Sequence, residues 1–313
     1  MTHAGTLKWS MAGEINISCR SCGAQIVFSA LERTVRCPYC DSPSVVDRPA
    51  STDRPDPVFA IPFTVTRKAA VAAVRRHVRR KKFAPAALQK AASHKVRGMY
   101  VPTYLYSAVA SSSFSASIGE DYYVRVVGTD SDGKVTVKKE RRTERRELDG
   151  NHRCYLSDLL VTASRGIPND EVEWLEPYDL GWLRSYSPAL VSGWDSEEPS
   201  LLRRECLDLA RGEGRAAVAR RLARFMPGDS HSGLRHDTVF EAETIDLTLV
   251  PVWVVALLWH PDKPPVRILV NGQTGEVVGT IPTSWAKVAM VIAAVLGLVA
   301  ASGLVATILG WLV

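Results

Sequence analysis

The sequence predicts an α+β protein in three parts: a small cysteine-bearing head, an antiparallel β-rich body with segregated helices, and one C-terminal apolar helix. Three observations predict it. Aromatic and β-branched runs bounded by turn residues are grouped, with the helical patterns set apart from them, as in α+β folds. Four cysteines near the N-terminus form two CxxC pairs. No Asp, Glu, Lys or Arg occurs after Lys287. The averages over 313 residues, 46% hydrophobic and 23% charged, are those of a globular chain. They exclude general disorder and the collagen, coiled-coil and disulfide-scaffold classes.

The head comes first. Cys19 and Cys22 are followed, 14 residues on, by Cys37 and Cys40. Each CxxC turn presents two sulfurs to one ion, and this spacing is a strong zinc signal. Gly23 follows the first pair and Pro38 lies inside the second, as tight turns prefer. Residues 24–28 and 34–36 read as two short strands of a hairpin that returns the chain between them. Four thiolates leave no open coordination position, so one structural Zn²⁺ is expected, and reduced thiols agree with a cytoplasmic compartment. Cys154 and Cys206 stand alone, in a strand-like and a helix-like stretch, and read as buried thiols. The head is assigned to 1–44. Residues 45–60, which carry Pro49, Pro55 and Pro57, read as a semi-rigid linker.

The body is assigned to 61–284. TRKAAVAAVRRHVRRKK at 66–82 has a helical pattern with Thr66 as N-cap and Val71, Val74 and Val78 on one stripe. A short helical piece is expected at 85–92. From Met99 the chain turns to strand, and YYVRVVGTDSDGKVTVKKERR reads as a hairpin turning at Ser131–Gly133. CYLSDLLVTAS and TIDLTLVPVWVVALLW read as further strands. The second is apolar on both faces, so it is either a central covered strand or close to a membrane. Residues 196–225 read as helix, with an interruption at Gly212–Gly214 considered. Its apolar stripes are Leu202, Cys206, Leu209 and then Val218, Leu222, Phe225. Residues 226–237 read as a polar loop. Two strands, 266–270 and 277–281, follow, joined by a turn in which Gly272 and Gly275 supply positive φ.

The last part, 285–313, is expected to cross a membrane. Its uncharged stretch from Val288 to Val313 would form a helix of about 39 Å, longer than the ~30 Å hydrocarbon core. Trp285 and Trp311 sit near its ends, where indole rings favour the headgroup zone. MTHAGTLKWS has no apolar core, so no secretory signal is expected. The segment reads as a single-pass tail anchor. Lys287 and Arg267 precede it and no charge follows, which by the positive-inside rule leaves the body in the cytoplasm. Ala289, Ala293, Gly297 and Ala301 repeat every four residues, a spacing that lets two such helices approach closely. Oligomerisation through the tail is therefore an expectation, against the general abundance of small residues in spans.

Charge is unevenly spread. Residues 57–119 hold 11 Lys/Arg and no Asp/Glu, while 169–208 hold 10 acids and 3 bases. The basic helix, with Arg75, Arg76, Arg79 and Arg80 as its candidate surface, has three readings. It is a solvated face, a face resting on an anionic leaflet, or a nucleic-acid contact. No base-stacking aromatics interleave there. The acidic stretch is a candidate surface for a basic partner. No Walker A, HExxH or GxSxG pattern occurs, and no nucleophile–base pair can be picked out, so no enzyme is expected. The histidines are scattered.

The segments FAPAALQKAASHKVRGMYVPTYLYSA, LEPYDLGWLRSYSPALVSGW and ILVNGQTGEVVGTIPTSWAKV, after a four-cysteine head, resemble a bacterial family of membrane-anchored zinc-ribbon proteins. The ribbon is of the transcription-factor-IIB type. Some members are similar to membrane partners of phage-shock-protein-A-like and flotillin-like systems. The resemblance implies a non-enzymatic adaptor that recruits such proteins to the membrane. Only the four cysteines carry over as a defined site. A membrane-tethered nucleic-acid binder using the ribbon and the basic helix is the alternative.

Overall fold

The structure, a computed structural model, describes residues 14–18, 25–29, 34–36, 43–45, 55–91, 93–129, 135–260 and 263–310. In the head, β1 (Glu14–Ser18) pairs antiparallel with β2 (Gln25–Ser29), with Ser18 opposite Gln25. β3 (Thr34–Arg36) pairs with β4 (Pro43–Val45), with Arg36 opposite Pro43. The expected single hairpin of residues 24–28 with 34–36 is not the pairing observed. Each of those strands instead pairs with a neighbour outside that hairpin, β1 or β4. β4 was missed because Pro43 reads as a breaker, yet a first strand residue can be proline. Consequently one CxxC pair falls in the segment joining β1 to β2 and the other in that joining β3 to β4. The four cysteines themselves lie outside the described residues.

In the body come β5 (Phe59–Ala60), α1 (Arg67–Arg80), α2 (Ala86–Lys90), β6 (Ser93–Thr129) and β7 (Val135–Thr162). Then follow α3 (Asn169–Leu175), β8 (Arg184–Ser185), α4 (Pro188–Val191), β9 (Asp195–Ser196), α5 (Arg203–Phe225), β10 (Ser230–Leu257), β11 (Val266–Asn271) and β12 (Val277–Val278). α6 (Trp285–Gly310) ends the described chain. This is the expected α+β architecture, dominated by antiparallel pairing. The body begins slightly before residue 61, because β5 is already a strand of its sheet.

Three long strands form the spine. β6 is central, with β7 on one side from Thr103↔Thr162 to Thr129↔Val135. β10 lies on the other side, from Leu257↔Ser93 to Ser230↔Gly119. At one end, the base, the sheet widens. β11 and β12 extend it beyond β10, β5 runs parallel to β10 with β8 outside it, and β9 runs parallel to β6. At the other end β10 stops opposite Gly119, and β6 and β7 continue alone as a two-stranded arm of roughly 30 Å. The predicted hairpin is thus present. Its turn, residues 130–134, lies outside the described residues.

The core is concentrated at the base. β10 is covered on both faces there, which settles the choice left open by its sequence. Val250 and Val252 pack with Leu160, Val172 and Leu175 on one face. On the other, Trp253, Val255 and Leu257 pack with Ala70, Val74 and Val78 of α1, and the Trp253 indole donates to the Val65 carbonyl at 2.8 Å. α1 starts where predicted, with the Thr66 hydroxyl accepting from the Ala69 amide at 3.3 Å. Val71 is half-buried beside the buried row.

Two expectations about α5 and its surroundings are corrected. α5 runs unbroken through Gly212 and Gly214 and starts at Arg203, where the Glu205 carboxylate accepts from the Leu202 amide at 2.7 Å. Its buried row is Cys206, Ala210, Gly214, Val218 and Leu222, while Leu202, Leu209 and Phe225 are exposed. The helix lies so close to the sheet that a Cβ on Gly214 would stand 3.1 Å from Phe240. Cys206, Val218 and Leu222 are thus buried as expected, and the small Ala210 and Gly214 complete the row in place of Leu202, Leu209 and Phe225. Residues 230–237 are also strand rather than loop, since β10 begins at Ser230. Finally, Gly275 has φ +83 as expected, but Gly272 serves close approach instead of positive φ.

Candidate functional site

Three surfaces are built by this fold: the root of α6, a basic groove beside α1, and the arm. The root is formed where the α1–α2 turn meets α6. The Ser284 amide donates to the Phe83 carbonyl at 2.7 Å. The Lys287 ammonium donates to the Ala84 carbonyl at 2.7 Å and to that of Lys82 at 3.4 Å. Beyond this junction the helix leaves the body. Every residue from Ala289 to Gly297 is exposed, and Trp285 is 79% exposed. Among the described residues no helix is long and apolar enough to cross a membrane. The side chains of 298–310, and Trp311, lie outside them. A Cβ on Gly297 would meet nothing within 4 Å.

The groove lies between α1 and the start of β6 and encloses about 990 Å³. Arg75, Arg76, Arg79 and Arg80, the predicted basic surface, all line it, joined by Arg67 and Lys68. Because Ala70, Val74 and Val78 turn α1's apolar row toward the sheet, its guanidinium-bearing faces are left on the outside. Val71, Ala72 and Val96 add apolar lining. His77, on the same helix, is held below the usual imidazole range by burial and by the nearby Lys81 charge, with Glu276 acting in the opposite sense. The sequence marked the arginines. It did not mark Val96, or Ser93 of β6, because that wall is supplied by pairing of β6 with the end of β10.

The arm exposes Tyr122, Tyr123, Val126 and Val127 on β6 and Val135 and Val137 on β7. Tyr123 faces Arg141 across the ladder, Arg125 faces Lys139, and Val127 faces Val137. Its root is clamped. The Asp229 carboxylate accepts from the Asp121 amide at 2.8 Å, and the Asp229 amide donates to the Gly119 carbonyl at 2.9 Å. Thr143 donates to Asp121 at 2.6 Å and Arg141 also bonds it, which together hold that carboxyl below the usual range. Charged residues from Lys138 to Glu147 lie on β7, beside which no further strand pairs among the described residues. Such charges discourage edge-to-edge aggregation.

The acidic stretch 169–208 is largely engaged by the body. Glu171 pairs with Arg267 at 2.7 Å, Asp195 with Arg97 at 3.4 Å and Glu205 with Arg165 at 3.8 Å. Glu197 accepts from the Ser164 hydroxyl at 2.7 Å. Three carboxyls are pushed up by burial: Glu197, Glu213 and, to about 7, Glu176. Cys206 is fully buried, pushed up to about 11, and donates to the Thr162 carbonyl at 3.3 Å, which makes it inert packing rather than a nucleophile. Cys154 is half-buried. Among the described residues no group of three or more His, Cys, Asp or Glu side chains is placed to hold a metal. The candidate zinc ligands Cys19, Cys22, Cys37 and Cys40 lie outside them. Four cysteines at this spacing suit zinc by their chemistry.

No protein-family model matches the chain. No solved structure matches it. The chain is similar, at 24% identity over 235 residues, to the uncharacterized protein YdjG of Bacillus subtilis (strain 168), and the matched region covers 74% of this chain and 66%, just under two thirds, of that protein.

Proposed function

We propose that this chain is a non-enzymatic adaptor held at the cytoplasmic face of a membrane by α6, with a ribbon folded around one structural zinc ion. The observation that carries the reading is the surface of α6. From Ala289 onward its described side chains are apolar and uncovered by the body, including Met290, Ile292, Val295 and Leu296. An apolar helix that leaves its own domain unpacked has lipid as its natural solvent. Single-pass insertion at the C-terminus uses Trp285 and Trp311 as interfacial residues and Lys287 at the cytoplasmic boundary.

The arm supports the adaptor half of the reading. A ribbon projecting past the third strand contributes little to the core, yet it displays two tyrosines and four valines among arginines and lysines. Tyrosine and arginine are the residues that interface hot spots favour. By resemblance, the partners are phage-shock-protein-A-like or flotillin-like membrane-remodelling proteins. Homo-oligomerisation through the small-residue row of α6 is part of the proposal. Leucine at Ala293, Gly297 and Ala301 would dissociate the oligomer in detergent.

The test is site-specific photo-crosslinking of the full chain in cells, with the reactive group at Val127, followed by purification in mild detergent. The expected product is a covalent adduct with a membrane-remodelling protein, lost when residues 122–142 are replaced by a short turn. Absence of protein adducts under conditions that preserve other membrane complexes would sink the adaptor reading. Recovery of nucleic acid instead would favour the tethered nucleic-acid binder.

A further inference from the structure

We propose that the groove between α1 and the start of β6 binds phosphate-bearing headgroups of anionic phospholipids in the bilayer that α6 enters. The proposal rests on the anchor reading above and adds a second, charge-selective contact to it.

Three observations converge on lipid. The first is charge. Arg75, Arg76, Arg79 and Arg80 line one groove, and among the described residues lining it none is acidic; Glu276 is near His77 of the same helix but does not line the groove. Arginine's planar fork suits phosphate oxygens. The second is the apolar part of the lining. Val71 and Val96 line the same groove as the arginines, a surface of the kind against which arginine methylene stems and lipid carbon can lie. The third is position. α1 ends at Arg80, and four residues later the Ala84 carbonyl is bonded by Lys287 at the root of α6. α1 is only about 21 Å long, so the arginine end of the groove is held within a few residues of the point where the chain enters the headgroup zone. Exposed Phe83 and Trp285 lie at that same junction, the side-chain types found at a membrane interface.

Nucleic acid fits the same charge less well. Among the described residues no aromatic side chain lines the groove for base stacking. A polyanion seated there would also lie against an anionic leaflet. Lys and Arg side chains are drawn to such a leaflet, so four arginines in one groove give a preference for anionic over neutral lipid.

The test is hydrogen exchange of the full chain in nanodiscs. Discs of neutral phosphatidylcholine are compared with discs in which phosphatidylglycerol replaces part of it. Incorporation into neutral discs that resists high salt tests the anchor by itself. In the anionic discs, amides of 67–82 should exchange about fivefold more slowly than in neutral ones. Replacing all four arginines by glutamine should abolish that difference while α5 exchanges as before, which controls for folding. Equal exchange at 67–82 in both discs would overturn the proposal while leaving the anchor standing. Inorganic phosphate added to neutral discs should have no effect. Equal slowing by phosphate would assign a soluble-anion site instead, and equal slowing by a single-stranded oligonucleotide would assign a nucleic-acid site.

Discussion

The Lys287 ammonium bonds the Ala84 carbonyl at 2.7 Å, and this contact ties the first turn of α6 to the turn between α1 and α2. Lys287 is the last charged residue in the chain. It serves the body as a brace and marks the boundary at which the apolar helix begins. Without it, among the described residues, the backbone bond from Ser284 to Phe83 remains at the root. Lys287→Met should loosen the root, at a cost of about 1 kcal/mol for a partly exposed charge-assisted bond. Amides near residues 82–86 and 284–288 should exchange faster, with α5 unaffected. Unchanged exchange there would show that the brace carries no weight.

Gly272 offers a sharper packing test. Its carbonyl accepts from the Thr64 and Val65 amides, and a Cβ there would stand 2.6 Å from the Phe63 ring and 2.8 Å from Pro251. Phe63 cannot easily yield, because it stacks on Trp194 with ring centroids 3.9 Å apart. Gly272→Ala should therefore destabilise the body by roughly 1–3 kcal/mol, as overpacking does. Phe63→Leu in the same chain should recover part of that loss, measured as a double-mutant cycle in thermal unfolding. Additive losses would place the clash elsewhere.

These cases show which features were legible in the sequence. The base strand of β10 was readable because both of its faces are apolar, and α1 because Thr66 caps a helical row. The outer half of β10 was not. His236 and Asp237 lie opposite Phe114 and Ser113, in a ribbon without regular apolar alternation, so backbone pairing alone marks it as strand. The inward face of α5 was legible only in part: Cys206, Val218 and Leu222 are buried as expected, but Leu202, Leu209 and Phe225 are exposed. Ala210 and Gly214 make its closest contacts because they are small, whereas hydrophobicity pointed to Leu209 and Phe225. The arginines of the groove were readable as an acid-free stretch. Their assembly with Val96 of β6 was not, since it depends on pairing over more than 150 residues.

The zinc proposal predicts a separable head. A stretch as short as 1–44 has too little core to fold unaided, and metal supplies the missing free energy. The full chain purified under reducing conditions should carry about one zinc per chain. Cys37→Ser should release it and abolish protection of β1–β4 amides, while the thermal transition of the body stays in place. Retention of stoichiometric zinc after that substitution would remove Cys37 from the ligand set.

Glu176 gives the body a pH dependence of known sign. Burial and the neighbouring Glu213 and Glu173 charges raise its carboxyl to about 7, against 4.5 for the ordinary group. Between those two values the folded protein holds a proton that the unfolded chain has released. Stability should therefore fall as pH rises from about 4.5 to about 7 and level off above, where the buried carboxylate is charged. Glu176→Gln keeps an acceptor for the Leu160 amide and removes the charge. At pH 8 it should be more stable than the parent by on the order of 1–2 kcal/mol, after discounting for partial exposure. At pH 5, where the parent carboxyl is already neutral, the two should unfold nearly together. A variant that is equally stabilised at both pH values would show that its gain comes from packing, and a variant less stable than the parent at pH 8 would show that Glu176 is held as a carboxylate.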